Sequence, residues 1–175
     1  MKKIVLLSFI FAVAMMFNSS DVNAQSFEQG DINVGGGIGI GSTLGGGLPI
    51  GIHGEYGVTD NISVGAYVAF ASYNSGFGIY DYKWTYTIIG ARGAYHFGEL
   101  LNAPDNLDVY GGVGLYNYSI KIKSDLGGAY TGSVGDGIHF GIHAGARYYF
   151  TDNIGAYAEL GSGIAYLQLG VTLKL

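Results

Sequence analysis

Leu167-Gln168-Leu169-Gly170-Val171-Thr172-Leu173-Lys174-Leu175 alternates an apolar residue with a polar or small one at every step. Successive side chains of a β-strand point to opposite faces, so Leu167, Leu169, Val171, Leu173 and Leu175 share one face. Gln168, Gly170, Thr172 and Lys174 share the other. The same period governs 138–150, where Ile138, Phe140, Ile142, Ala144, Ala146, Tyr148 and Phe150 face one way. His139, Gly141, His143, Gly145, Arg147 and Tyr149 face the other.

Carried back along the chain, the alternation predicts eight strands near 30–41, 49–58, 62–74, 83–97, 107–122, 138–150, 154–161 and 164–175. Two connections read Thr-Asp-Asn, at 59–61 and 151–153, which is a tight polar turn. A third, Gly98 to Asn106, is longer and holds Pro104. A weak internal repeat supports strand pairs as the unit. His53-Gly-Glu-Tyr-Gly-Val-Thr-Asp-Asn-Ile62 resembles Ala146-Arg-Tyr-Tyr-Phe-Thr-Asp-Asn-Ile154, and Gly90-Ala-Arg-Gly-Ala-Tyr95 resembles Gly145-Ala-Arg-Tyr-Tyr149. No helical stretch of ten or more residues is expected after the first segment of the chain.

That first segment has a different character. Lys2 and Lys3 precede an apolar run from Ile4 to Phe17, followed by polar residues and Val22-Asn23-Ala24. This is the layout of a secretory signal peptide cut after Ala24, leaving 25–175 as one barrel domain. The run is shorter than the roughly 20 residues a membrane-spanning helix needs. The chain has no Cys, which excludes disulfides, a Cys nucleophile and a Cys-linked lipid anchor.

Without Lys2, Lys3 and Asp21, six basic and twelve acidic residues remain, a balance that argues against nucleic acid. Charged residues make up only 12% of the chain, about half the usual share, so its surface is not that of an ordinary soluble domain. Disorder is excluded in turn, because 49% of residues are apolar. The apolar face runs along every strand and ends near the turns in Tyr56, Tyr95, Phe97, Tyr148 and Phe150. Such an aromatic girdle is expected where a barrel wall meets lipid head groups. The opposite face carries Gly, Tyr, His and a few charges, which suits a narrow lumen filled by side chains. The fold class is therefore all-β: an eight-stranded, antiparallel, up-and-down transmembrane β-barrel.

With these features the chain resembles the single-domain outer-membrane β-barrels of the OmpA and OmpX type. The resemblance covers the mature chain and rests on the signal peptide, the eight alternating strands, the Arg-Tyr-Tyr-Phe-Thr-Asp-Asn turn and the final strand. It implies the outer membrane of a Gram-negative bacterium, with both termini in the periplasm. It also implies lipid or lipopolysaccharide around the wall, the barrel-assembly machinery as a partner during biogenesis, and a protein partner at the cell surface. One departure is Leu175, where that family usually ends in an aromatic residue.

Inside the lumen, alternation places Glu55, Arg92, Arg147 and Glu159, and burial of isolated charges would be costly, so a paired network is expected. Pairing across the 151–153 turn sets Arg147 opposite Tyr157, with Glu159 as its diagonal neighbour. Such a network is either a gate or proton path, or a static plug. His53, His96, His139 and His143 fall on the same inward face. On a strand His139 and His143 stand roughly 13 Å apart, too far to share an ion, so no metal site is expected from that spacing. Gly35-Gly36-Gly37 and Gly45-Gly46-Gly47 lack the following helix that a phosphate cradle requires. No catalytic residue and no cofactor is assigned.

Farther along, Trp84, Tyr86 and Ile88 lie beside Tyr116, Tyr118, Ile120 and Ile122 on the inward phase, with Lys121 and Lys123 outward. Either a bulge flips the phase there, or these residues pack a rim, or they line an apolar mouth for a lipid tail or peptide. The expected outer loops, 42–48, 75–82, 124–136 and 162–163, are short. Three functions remain open: a structural or surface-interaction barrel with a filled lumen, a narrow channel, and a lipid-binding or lipid-modifying barrel.

Overall fold

The computed structural model describes residues 27–42, 46–77, 80–124, 132–133 and 137–175. The expected signal peptide lies outside the described residues. Among the described residues nine strands follow one another: β1 (Ile32–Ser42), β2 (Ile50–Gly57), β3 (Ile62–Phe77), β4 (Tyr80–His96), β5 (Leu107–Ser124), β6 (Gly132–Ser133), β7 (Gly137–Tyr149), β8 (Ile154–Gly161) and β9 (Ala165–Lys174). One short helix, α1 (Gly98–Leu101), lies between β4 and β5. Among the described residues, eight strands form the wall. Each wall strand pairs antiparallel with the next, and β1 pairs with β9 to close the ring. β6 is a two-residue rail on the outer part of β5, opposite Lys121 and Ile122.

The Thr-Asp-Asn turns have a local cause. Thr59 Oγ1 accepts the N–H groups of Asn61 (3.3 Å) and Ile62 (3.0 Å), so the side chain closes the turn before β3 begins. Thr151 Oγ1 accepts the Ile154 N–H at 3.0 Å in the same way. In the 98–106 connection the chain winds into α1 and leaves it through Asn102, whose φ of 49° is the left-handed stop of a helix. The turns, α1 and both ends of the barrel chain gather on one side. Leu175 N–H bonds to Ile32 C=O at 2.9 Å, and Gly30 N–H bonds to Gly57 C=O at 2.9 Å.

The wall is inverted relative to a water-soluble protein. Ile52, Val68, Ile89, Leu115, Phe140 and Val171 face outward and are exposed, while Asn33, Asp108, Arg147 and Thr172 are fully buried inside. On the turn side the outer face carries Tyr56 and Tyr95, both half-exposed. The rings of Tyr95 and Phe97 stand 4.9 Å apart, and those of Tyr148 and Phe150 stand 5.5 Å apart. Leu100 and Leu101 of α1 add exposed apolar surface at this end.

No bulge flips the phase of β4 and β5. Their register runs unbroken from Tyr82↔Ser124 to His96↔Tyr110, and that of β3 and β4 from Phe77↔Tyr80 to Ile62↔Tyr95. These three strands are also longer than the periodicity predicts. β2 stops opposite Phe70 and β7 stops opposite Tyr118, so beyond those residues β3, β4 and β5 continue as a sheet that β6 joins at Lys121 and Ile122. It projects on the side away from the turns.

Glycine gives the large lumenal rings their room. A Cβ on Gly145 would come within 2.7 Å of both the Tyr110 hydroxyl and the Ala158 carbonyl oxygen, and the latter belongs to the wall itself. Gly54 points outward with nothing within 4 Å of such an atom. Gly145→Ala is therefore expected to destabilise the barrel by about 1–3 kcal/mol through overpacking. Gly54→Ala should be neutral or slightly stabilising. Denaturant unfolding in lipid vesicles checks the contrast.

Candidate functional site

The site is the lumen, and strand alternation decides which side chains enter it. Odd positions of β2, β3, β7 and β8 and even positions of β4 and β5 point inward. Nearest the turns, Ser63, His96 and Asp108 meet. His96 Nδ1 lies 2.8 Å from Asp108 Oδ1, and Nε2 lies 3.0 Å from Ser63 Oγ. Asp108 also accepts from Arg147 Nη1 at 3.1 Å, so it acts as a carboxylate. Nδ1 of His96 is then the donor to Asp108, and Nε2 shares a hydrogen bond with the Ser63 hydroxyl. Phe27 covers this layer, its ring stacked 3.5 Å from that of His96.

One layer deeper lie the two arginines. Arg92 donates to both oxygens of Glu159, Nη1 to Oε1 at 3.2 Å and Nη2 to Oε2 at 2.5 Å. Its Nε stands 3.1 Å from Glu55 Oε1. Arg147 reaches the other oxygen of Glu55 through Nη2. Glu55 therefore bridges the two guanidinium groups. Tyr110 donates to Glu159 at 2.9 Å, and the Arg147 guanidinium lies 4.2 Å over the Tyr110 ring. Three carboxylates and two guanidinium groups thus form one connected network with almost no exposure.

Beyond the charges, Gln168 donates to the Tyr67 hydroxyl. Next comes an apolar cluster of Tyr67, Ala69, Ala71, Tyr86, Ile88, Tyr116, Tyr118, Ile164 and Ala165. Tyr73, Trp84 and Ile120 pack against it from the projecting sheet. The rings of Tyr73, Trp84 and Tyr86 lie within 11° of parallel, and their centroids form a near-equilateral triangle with sides of 6.2, 6.0 and 6.4 Å.

The structure brings Glu55, Arg92, Arg147 and Glu159 together, with Arg147 opposite Tyr157 in the register. Glu159 bonds Arg92 across the lumen, so it is not the diagonal partner of Arg147 that local geometry suggests. His53 and His143 are buried in the lumen, His53 with its ring edge-on to Tyr157 at 4.9 Å. Neither makes a hydrogen bond among the described residues. His139 keeps the inward phase but is exposed. It sits at the open end against Tyr118, with ring centroids 4.7 Å apart, and is a rim residue. Of the mouth residues, Tyr86, Ile88 and Tyr118 are buried against their neighbours, and Trp84 and Ile120 are partly so.

Sequence reasoning missed Asp108, Ser63, Tyr110 and Phe27. The first three lie on the inward phase of their strands, and continuing the alternation to the strand ends would have found Ser63 and Asp108. Phe27 precedes β1 and carries no periodic signal. Ser63, His96 and Asp108 have the order of a hydrolytic triad, yet the geometry lacks what that chemistry needs. All three are buried, and Phe27 covers the imidazole. Ser63 sits within a ladder, opposite Gly57 and Ala94, so neighbouring N–H groups are committed to strand pairing and no pair of donors is free for an oxyanion. Among the described residues no cluster of His, Asp and Glu suits a metal ion.

No family model matches the chain, and no curated protein sequence does. Solved structures do match. The N-terminal β-barrel domain of Pseudomonas aeruginosa OprF aligns with a TM-score of 0.57 at 18% identity, covering 84% of this chain and 98% of that one. The fold is that of the small outer-membrane β-barrels. Neisserial surface protein A aligns at 0.54 and 18% identity, covering 83% of this chain and 94% of that one. Ail, the attachment invasion locus protein of Yersinia pestis, crystallised with the heparin analogue sucrose octasulfate, aligns at 0.52 and 15% identity, covering 83% and 95%. At these identities the likeness to the outer-membrane barrels is one of fold.

Breaking the network at its bridge should cost more than losing the partly buried pair at the turn end. Glu55→Ala removes the carboxylate that two buried guanidinium groups share, leaving Arg92 only Glu159 and Arg147 only Asp108, and is expected to destabilise the barrel by about 3–5 kcal/mol. Lys174→Met, which removes the 3.5 Å pair with Asp31 and the ammonium 5.5 Å over the Tyr149 ring, should cost about 1 kcal/mol. Urea unfolding of both variants in the same vesicles makes the comparison.

Proposed function

We propose that the chain is exported, is cleaved after Ala24, and ends as a barrel in the outer membrane of a Gram-negative bacterium. There it has a structural and surface-interaction role, with a lumen closed to solutes and no catalytic activity. The observation that carries this reading is the occupancy of the lumen: five charged groups bonded across it, Phe27 over one end, and the aromatic cluster toward the other. An apolar outer wall supports the membrane location, because lipid is the solvent such a face requires. The fold neighbours support it too, and two of them are by name an attachment protein and a surface protein.

With the turns in the periplasm, the extension of β3, β4 and β5 stands outside the cell. It is the part of the barrel offered to a surface partner. Lipid or lipopolysaccharide surrounds the wall, and the assembly machinery meets the chain during insertion. A lipid-tail site at the mouth is disfavoured, since Tyr86, Ile88 and Tyr118 are already packed against their neighbours.

Planar-bilayer recording of the folded protein tests the closed lumen. Baseline current without discrete steps is the expected result. Reproducible single-channel steps, altered in Glu159→Gln where the Arg92 pair is weakened, would favour a narrow gated channel instead.

A further inference from the structure

Of the six basic residues after position 24, Arg92 and Arg147 are bonded within the lumen and Lys174 lies beside Asp31. The remaining three, Lys83, Lys121 and Lys123, share one patch of the outer wall. Lys83 stands directly opposite Lys123 across β4 and β5, and Lys121 stands opposite Thr85, one step lower. All three are exposed, and none forms an ion pair among the described residues. Like charges directly opposite one another destabilise a sheet, so the arrangement calls for an anion between them. We propose that Lys83, Lys121 and Lys123 bind the phosphate of an outer-leaflet lipid head group.

The level of the patch supports this assignment, which rests on the membrane orientation proposed above. Upward from the girdle, the outward pairs of β4 and β5 are Tyr95↔Gly111, Gly93↔Val113, Ala91↔Leu115, Ile89↔Asn117, Thr87↔Ser119, Thr85↔Lys121 and Lys83↔Lys123. The order is aromatic, aliphatic, hydroxyl and amide, then cationic. From Tyr95 to Thr85 the strand climbs roughly 25 Å, taking about 3.3 Å per residue and a tilt near 40°. The apolar band of such barrels is also about 25 Å tall. The lysines therefore stand just above the hydrocarbon, where lipid phosphates lie. At cross-strand spacings of about 5–8 Å, three flexible ammonium groups can converge on one phosphate.

The test titrates folded, detergent-solubilised protein with lipid A, which carries phosphate monoesters, and reads bound lipid by native mass spectrometry. Wild type should retain one tightly held lipid, and dephosphorylated lipid A should not replace it. The variant Lys83→Gln/Lys121→Gln/Lys123→Gln should bind on the order of 100-fold more weakly, at about fivefold per lysine. In pure phosphatidylcholine vesicles that variant should be no less stable than wild type, because only mutual repulsion has been removed. A heat-dependent gel shift in both proteins shows that the barrel has folded. Absence of that shift in wild type would overturn the membrane-barrel reading on which the site rests. With the shift present, equal lipid A binding by the variant would overturn the site, as would equal binding of dephosphorylated lipid. So would absent binding of lipid A to wild type. Equal displacement by soluble inorganic polyphosphate would also overturn it, assigning the patch to a soluble polyanion.

Discussion

The pairing of β1 with β9 is the constraint on which the remainder of the structure depends. A strand at an open edge leaves its N–H and C=O groups without partners, and in a lipid surround each would cost several kcal/mol. Closure removes the edge. The ladder from Asn33↔Lys174 to Ser42↔Ala165 does this over nearly the whole of β1. Once the ring is shut, period-two alternation becomes a global partition, with one set of side chains outside and the other in a narrow tube. The outward Ile, Val and Leu positions and the buried Arg, Glu and Asp follow from the same geometric fact.

A tube this narrow cannot hold charges loosely. Water is largely excluded from around Arg147, so its guanidinium needs Glu55, Asp108 and the Tyr110 ring together. Glu55 in turn holds Arg92, which holds Glu159. The network ties β2, β4, β5, β7 and β8 through the middle of the barrel, whereas wall pairing joins only neighbours. Glycines facing the rings, such as Gly145 below Tyr110, are the counterpart of this filling. The interior and the wall therefore specify one another.

Alternation made the wall legible in the sequence. The eight segments, their order and the turns at 59–61 and 151–153 needed only a period of two and the Thr-Asp-Asn signal. The inward set, including all four predicted charges, followed from the same period. Partner choice within the lumen did not, because side chains reach across the tube to strands far apart in the sequence. Arg92 and Glu159 belong to β4 and β8, which are not neighbours in the wall. The projecting sheet was underread because rim residues such as Ser75 and Gly76 look like loop, although unbroken pairing with β4 keeps them in strand. Phe27 lies outside any periodic segment, so its contact with His96 was visible only in three dimensions.

The inversion of inside and outside is best tested at two adjacent residues of β9. Val171 is 57% exposed and Thr172 is fully buried, so one strand carries both faces in consecutive positions. Single-cysteine variants Val171→Cys and Thr172→Cys, folded into vesicles, would be treated with a thiol probe confined to the bilayer. Labelling at 171 alone, with a heat-dependent gel shift for both proteins, is the result the inverted barrel predicts. Labelling at 172 alone, or at both sites, would contradict it and make the apolar face the interior of a different structure.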